Sequence, residues 1–201
     1  TARAAPVSRC IGATNLRELV DILKKSPGKY NYASVGVGSI SHLAMELIAQ
    51  QSGTEVVHVP YKASPESAQA VVTGEAHMAA LPPLAVIGHA QAGRLRILAV
   101  TTPTRWSGLP EVATFAESGL PEVQAEAWMA LIAPGKTPPS IIERLNAEVK
   151  AILATPEAQE QMAKLSFQPV GNSSSEFAAI LRTEELRWAK VVERAGLRKG
   201  N

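Results

Sequence analysis

Between Thr14 and Val100 the chain alternates four times between a helical pattern of apolar residues and a short apolar run, and this alternation constrains the fold more than any other feature. Thr14 can cap a helix carrying Leu16, Leu19, Val20 and Leu23, which Pro27-Gly28 stops. Tyr30 to Ala33 reads as the strand that follows. After a glycine turn at Gly36 and Gly38, Leu43, Met45, Leu47 and Ile48 predict a buried helix that ends near Gly53. The series continues with a strand over 56–59, a helix opened by Ser64-Pro65 and closed by Gly74, a strand over 76–80, a helix over 84–92 and a strand over 95–100. Strands and helices in strict alternation predict an α/β layer around a largely parallel sheet, because parallel strands need a crossover connection.

Beyond Thr101 the texture changes. A Pro-, Gly- and Ser-rich segment carries one predicted short helix over 111–118, Trp128 to Ala133 reads as an apolar strand, and three helices are predicted over 139–153, 156–164 and 174–195. Composition narrows the function classes. The 201 residues are 46% hydrophobic, enough to bury a core in one large domain or two small lobes. The net charge is +2 and no run of Lys or Arg could follow a phosphate backbone, so nucleic acid is not an expected partner. The longest apolar stretch, Met78 to Gly88, is broken by Pro82 and Pro83 and is too short to span a bilayer. A single Cys10 leaves no intrachain disulfide framework, and the four histidines at 42, 58, 77 and 89 lack metal-ligand spacing, so no metal or other cofactor is expected. Arg3 and Arg9 precede no continuous apolar core, so the amino terminus does not read as a signal peptide.

The segment Tyr32 to His42 carries the most chemical information. A strand ends in a glycine turn that opens a helix, and the N–H groups of such a turn stabilise a carboxylate or phosphate. Hydroxyls at Ser34, Ser39 and Ser41 add donors. The dinucleotide and phosphate-loop fingerprints both fail, since Ser41 stands where a third glycine belongs and no Gly-Lys-Ser/Thr follows. The same residues also suit a plain strand-to-helix turn capped by Ser39 or Ser41. His42 and Ser39 lack an orienting carboxylate for a catalytic triad, and His58 and His77 read as hydrogen-bonded structural histidines. Val59-Pro60-Tyr61-Lys62 ends a strand, where open parallel sheets hold ligands, although Tyr61 equally suits packing in an exit turn. Trp128 suits a cleft wall or a core, and Trp106 and Trp188 read as packing.

Five stretches in order resemble one family. They are Asn31-Tyr-Ala-Ser-Val-Gly-Val-Gly-Ser-Ile-Ser-His42, Val57-His-Val-Pro-Tyr-Lys62, Gly93-Arg-Leu-Arg-Ile-Leu-Ala-Val-Thr101, Leu109-Pro-Glu-Val-Ala-Thr-Phe-Ala-Glu-Ser-Gly119 and Ala133-Pro-Gly-Lys-Thr-Pro138. They resemble the extracytoplasmic solute receptors of tripartite tricarboxylate transporters, the Bug or TctC family, from about residue 15 to the carboxyl end. The resemblance implies a type II periplasmic-binding-protein fold, closing on small organic carboxylates and delivering them to membrane permease subunits in the periplasm, without catalysis. It implies three parts: 1–13, unmatched; 14–126, the second α/β lobe; and 127–201, a strand and helices that complete the first lobe. Most of that first lobe is then expected to be missing, and the helical face left by it to promote self-association.

The resemblance also assigns a site. Ser34, Gly36, Gly38 and Ser39, with Val37 between them, match the loop that grips a ligand's distal carboxylate. Tyr61 and the turn at Leu81 are expected to wall the site. Family members often carry Asp-Asn where Leu81-Pro82 stands here, which favours a simple or aromatic carboxylate over an amino acid. Two alternatives remain: the effector domain of a LysR-type regulator, which would need a helix-turn-helix ahead of it, and an α/β enzyme acting on a small acid, for which no base, carboxylate and nucleophile converge.

Overall fold

The computed structural model describes residues 4–8, 11–165 and 167–197. It divides into two compact units, one holding the residues up to Ala127 together with those from Val191 on, the other Trp128–Lys190.

The larger unit is an α/β layer. Its elements are β1 (Ala4–Ser8), α1 (Leu16–Lys25), β2 (Asn31–Ser34), α2 (Ile40–Ser52), β3 (Val57–Pro60), α3 (Ser64–Thr73), β4 (Met78–Ala79), α4 (Pro83–Gln91) and β5 (Leu95–Val100). The sheet order is β3-β2-β4-β1-β5. β2 pairs in parallel with β3 and with β4, and β1 is antiparallel to both β4 and β5. The four strands expected from the alternation therefore all run one way, and a fifth is inserted against them.

That fifth strand is the main departure from the sequence reading, which gave residues 1–13 no element. Ala4–Ser8 carries Pro6, a residue that argues against a central strand because it cannot donate to the ladder. The pairing with β5 shifts register between Ala4 and Pro6, so the proline coincides with an irregularity. Ala4 is fully buried and exchanges both backbone hydrogen bonds with Leu81 (2.9 and 3.0 Å).

Helix limits follow the expected signals, with two corrections. Asn15, not Thr14, caps α1: its side chain accepts from the Glu18 N–H at 2.9 Å, while the Glu18 carboxylate takes the Thr14 N–H and hydroxyl. Ala63, not Ser64, is the residue before α3, which starts on Ser64-Pro65 without a side-chain cap. Leu16, Leu19 and Leu23 bury one face of α1. On the other side of the sheet Ala68, Ala70 and Val71 of α3 and Val86 of α4 close over Ala33, Ala79 and Leu95. The helix expected over 111–118 is instead a run of turns, anchored where Thr114 bridges Val100 and held by the Glu117 carboxylate on the Thr114 N–H at 2.8 Å.

The smaller unit carries α5 (Pro139–Leu153), α6 (Pro156–Lys164) and most of α7 (Ser174–Arg194). Thr155 caps α6 as its Thr-Pro-Glu start predicts. The strand expected over 128–133 does not form, because no neighbouring strand lies beside it among the described residues. Trp128 packs edge-on against Phe177 with ring centres 5.0 Å apart, and neither α5 nor α6 buries a residue.

Candidate functional site: the glycine turn at the carboxyl edge of the sheet

β2 is the strand at which the chain's order reverses, with β3 added on one side and β4 on the other. Open α/β sheets form a crevice outside the carboxyl end of such a strand, because the two flanking connections leave over opposite faces. Ser34 ends β2 there and the turn 35–39 follows. Gly36 and Gly38 have φ of 111° and 75°, values that only glycine adopts without strain. No atom lies within 4 Å of a Cβ placed on Gly38, so backbone conformation and not crowding requires glycine there.

The serines hold the turn together. Ser39 caps α2: its hydroxyl accepts from the His42 N–H at 3.3 Å and donates to the Gly36 carbonyl at 2.7 Å. Ser41 Oγ lies 2.9 Å from Ser39 Oγ and accepts the Val35 N–H at 2.9 Å. Ser34 is fully buried, with its hydroxyl 3.2 Å from the Gly36 carbonyl and receiving the Gly36 N–H at 3.1 Å. The hydroxyls expected to point at a ligand are thus engaged inside the turn. The Gly38 N–H is engaged too, donating to His42 Nδ1 at 3.0 Å. Among the described residues the N–H groups of Val37 and Ile40 have no acceptor, and neither residue is buried. The turn and helix start can therefore offer these two donors, with the positive end of the α2 dipole behind them, to an anion.

Two histidines lie beneath this turn. Register sets Tyr32 of β2 beside His58 of β3, and the rings stack at 5.0 Å. His58 in turn stacks on His42 with centres 3.8 Å apart and planes 10° from parallel. His58 Nε2 lies 2.6 Å from Ser34 Oγ, and His42 Nε2 lies 3.8 Å from the Glu46 carboxylate, which accepts the Tyr32 hydroxyl. Burial lowers the pKa of His42, partly opposed by Glu46. Burial, with the neighbouring His42 adding to it, pushes His58 down to about 4. Burial first, then Glu46, raises Tyr32. The structural role read for His58 is what its contacts describe; the adjacency of His42 and His58 was not foreseen, since the sequence spacing of 42 and 58 carries no signal that β3 register joins them.

Tyr61 and Leu81 contribute differently from the wall expected of them. The Tyr61 N–H donates to Ser34 O at 2.9 Å, but the ring packs against the cluster on the α3 side of the sheet. Its hydroxyl is buried with no hydrogen-bond partner among the described residues, and burial, followed by the Glu75 carboxylate, raises its pKa. Leu81 is fully buried and its backbone bonds are both taken by Ala4, leaving no polar group there for a ligand. His77 binds Asn31 at the opposite end of β2 (Nδ1 to Oδ1, 2.6 Å), away from the turn. Trp106 packs on Val100, Leu109 and Val112, and Trp188 donates to Glu184 at 2.8 Å. No group of three or more metal-ligating side chains occurs among the described residues.

A five-stranded α/β sheet with one antiparallel strand inserted and a glycine turn at its switch point is the architecture of a periplasmic binding protein of type II, here one α/β lobe together with helices of a second unit. The match to a family model is more specific: residues 6–197 fit that of the tripartite tricarboxylate transporter family receptor, TctC, and the chain belongs to this family. A protein of the tcbD-tcbE intergenic region of Pseudomonas sp. is 34% identical over 179 residues, 89% of this chain and 53% of its own length. Protein BugT of Bordetella pertussis is 33% identical over 184 residues, 90% of this chain and 56% of its own. The chain thus spans about half the length of these curated relatives. Among solved structures, R. palustris Rpa4515 with adipate superposes with a TM-score of 0.86 at 30% identity, over 97% of this chain and 65% of that one. The periplasmic binding protein BugD shares the fold, with a TM-score of 0.83 at 24% identity over 99% of this chain and 67% of its own.

Proposed function

We propose that this chain is a non-catalytic receptor for small organic carboxylates that acts in the periplasm and passes its ligand to the permease subunits of a tripartite transporter. The observation that carries this reading is the turn at the switch point, where Val37 and Ile40 leave two N–H donors without an acceptor at the start of α2. A carboxylate carries two oxygens and one delocalised charge, which suits a pair of backbone donors backed by a helix dipole. Membership of the receptor family and the adipate bound to Rpa4515 support the same ligand class. Ser34, Gly36, Gly38 and Ser39 then shape the turn, and Val37 and Ile40 touch the ligand. Tyr61 and Leu81 support the edge from inside. The buried apolar Leu81, where a polar contact is common in the family, favours an acid with no ammonium group.

A thermal melt of the 201-residue chain with a panel of mono-, di- and tricarboxylates, aromatic acids included, tests this. An acid at 100 times its Kd is expected to add about 2.7 kcal/mol and raise Tm by several degrees. A cooperative melt that no acid moves would overturn the reading for this chain.

A further inference from the structure

We infer that His42 is the positioning residue of the anion turn: its neutral imidazole, clamped between His58 and Glu46, anchors the Gly38 N–H and so leaves Val37 and Ile40 as the pair that faces a carboxylate. The inference rests on the carboxylate reading for its ligand, and on geometry for the rest. A ring nitrogen that accepts a backbone N–H carries no proton, so the proton of His42 is on Nε2, directed toward Glu46 at 3.8 Å. The Gly38 N–H and Glu46 set that tautomer, and the neighbouring rings hold the imidazole in its orientation. Glu46 lies one helical turn on and is itself held by the Tyr32 hydroxyl. His58 covers one ring face at 3.8 Å. Tyr32 packs beside both rings, 5.0 Å from His58 and 6.1 Å from His42. The same stack braces the other end of the turn, because His58 bonds Ser34, which receives the Gly36 N–H.

Without the Nδ1 acceptor, Gly38 would have no intramolecular partner for its N–H, and the turn at this glycine of φ 75° would be held only by the Ser39 bonds to the Gly36 carbonyl that span it. The N–H groups on either side would then spread in direction, and preorganisation of the donor pair would be lost. The same anchor confines the turn to a neutral ring: a proton on Nδ1 would set donor against donor. The titratable groups that face the ring are His58 from β3, Tyr32 from β2 and Glu46 from α2 itself.

The test compares wild type, His42→Leu and His42→Asn in the 201-residue chain, since the Asn carbonyl oxygen can accept where Nδ1 does. In His42→Leu the Gly38 amide is expected to exchange with solvent about 10-fold faster or more, with core amides of β2 unchanged, and adipate to bind about 10-fold more weakly. His42→Asn is expected to restore both. Nitrogen-15 spectra of wild type at neutral pH are expected to show an unprotonated His42 Nδ1. A proton on Nδ1, or Gly38 exchange unmoved in a folded His42→Leu protein, would overturn the assignment of His42, whatever the ligand result. Should His42→Leu fail to fold, the spectra decide alone. Wild type that takes up neither adipate nor malate would instead overturn the carboxylate reading and leave the exchange and tautomer results to judge His42.

Discussion

His58 shows how much a single residue can owe to its neighbours. Its ring packs against both Tyr32 and His42 and its pKa is pushed down to about 4, while His42 and His77 are lowered as well, each chiefly by burial. A histidine held neutral in the fold is charged more readily in the unfolded chain. Stability from these groups is therefore complete above the unfolded value near 6.5 and is lost as pH falls toward about 4. Melts at pH 7.5, 5.5 and 4.5 should show falling Tm, and His58→Gln should flatten that profile; an equal acid loss in the variant would assign it to other groups. Gly36 offers a second residue-level prediction. Its carbonyl receives Ser39 and its φ is 111°, so Gly36→Ala should cost roughly 1–3 kcal/mol by backbone strain, read as a lower midpoint in urea.

Elements were legible where local chemistry sets their ends. Proline at the start and glycine at the end bounded α3, and the Thr155-Pro156 pair bounded α6, because these residues act within one turn of the chain. The cap of α1 was misplaced by one residue: Thr14 and Asn15 both suit a cap, and what separates them is which side chain reaches the Glu18 N–H. Asn15→Ala should cost about 1 kcal/mol, lowering Tm by roughly 2–4 °C, whereas Thr14→Ala should cost less. β1 was missed for a different reason. Five residues with a central proline carry no strand pattern of their own, and β1 exists only because β4 and β5 leave a gap that its backbone fills. The opposite case is 128–133, which has the apolar pattern of a strand and no strand beside it among the described residues.

For the molecule as a whole, that segment sets an expectation about association. Met129, Leu131 and Ile132 are 82%, 71% and 85% exposed, and Ile152, Val170 and Leu186 of the same unit are exposed as well. Apolar surface on this scale rarely stays bare in water. We propose that the 201-residue chain self-associates through this unit at micromolar concentration, giving a dimer or larger species in light scattering; a clean monomer would contradict it.

The sequence by itself determined α1 to α7, though not the 111–118 segment, the four like-directed strands and the place of the glycine turn, because hydrophobic period, caps and glycine conformations act over a few residues. Tertiary structure alone decided that a proline-bearing segment enters the middle of the sheet and that His42 and His58 meet. It also decided that the serine hydroxyls are engaged within the turn, leaving the Val37 and Ile40 N–H groups without an acceptor among the described residues. The first two depend on strand register, which joins residues far apart in the chain and is fixed only when the whole layer packs, and the serine bonds depend on the folded path of the turn that the layer holds.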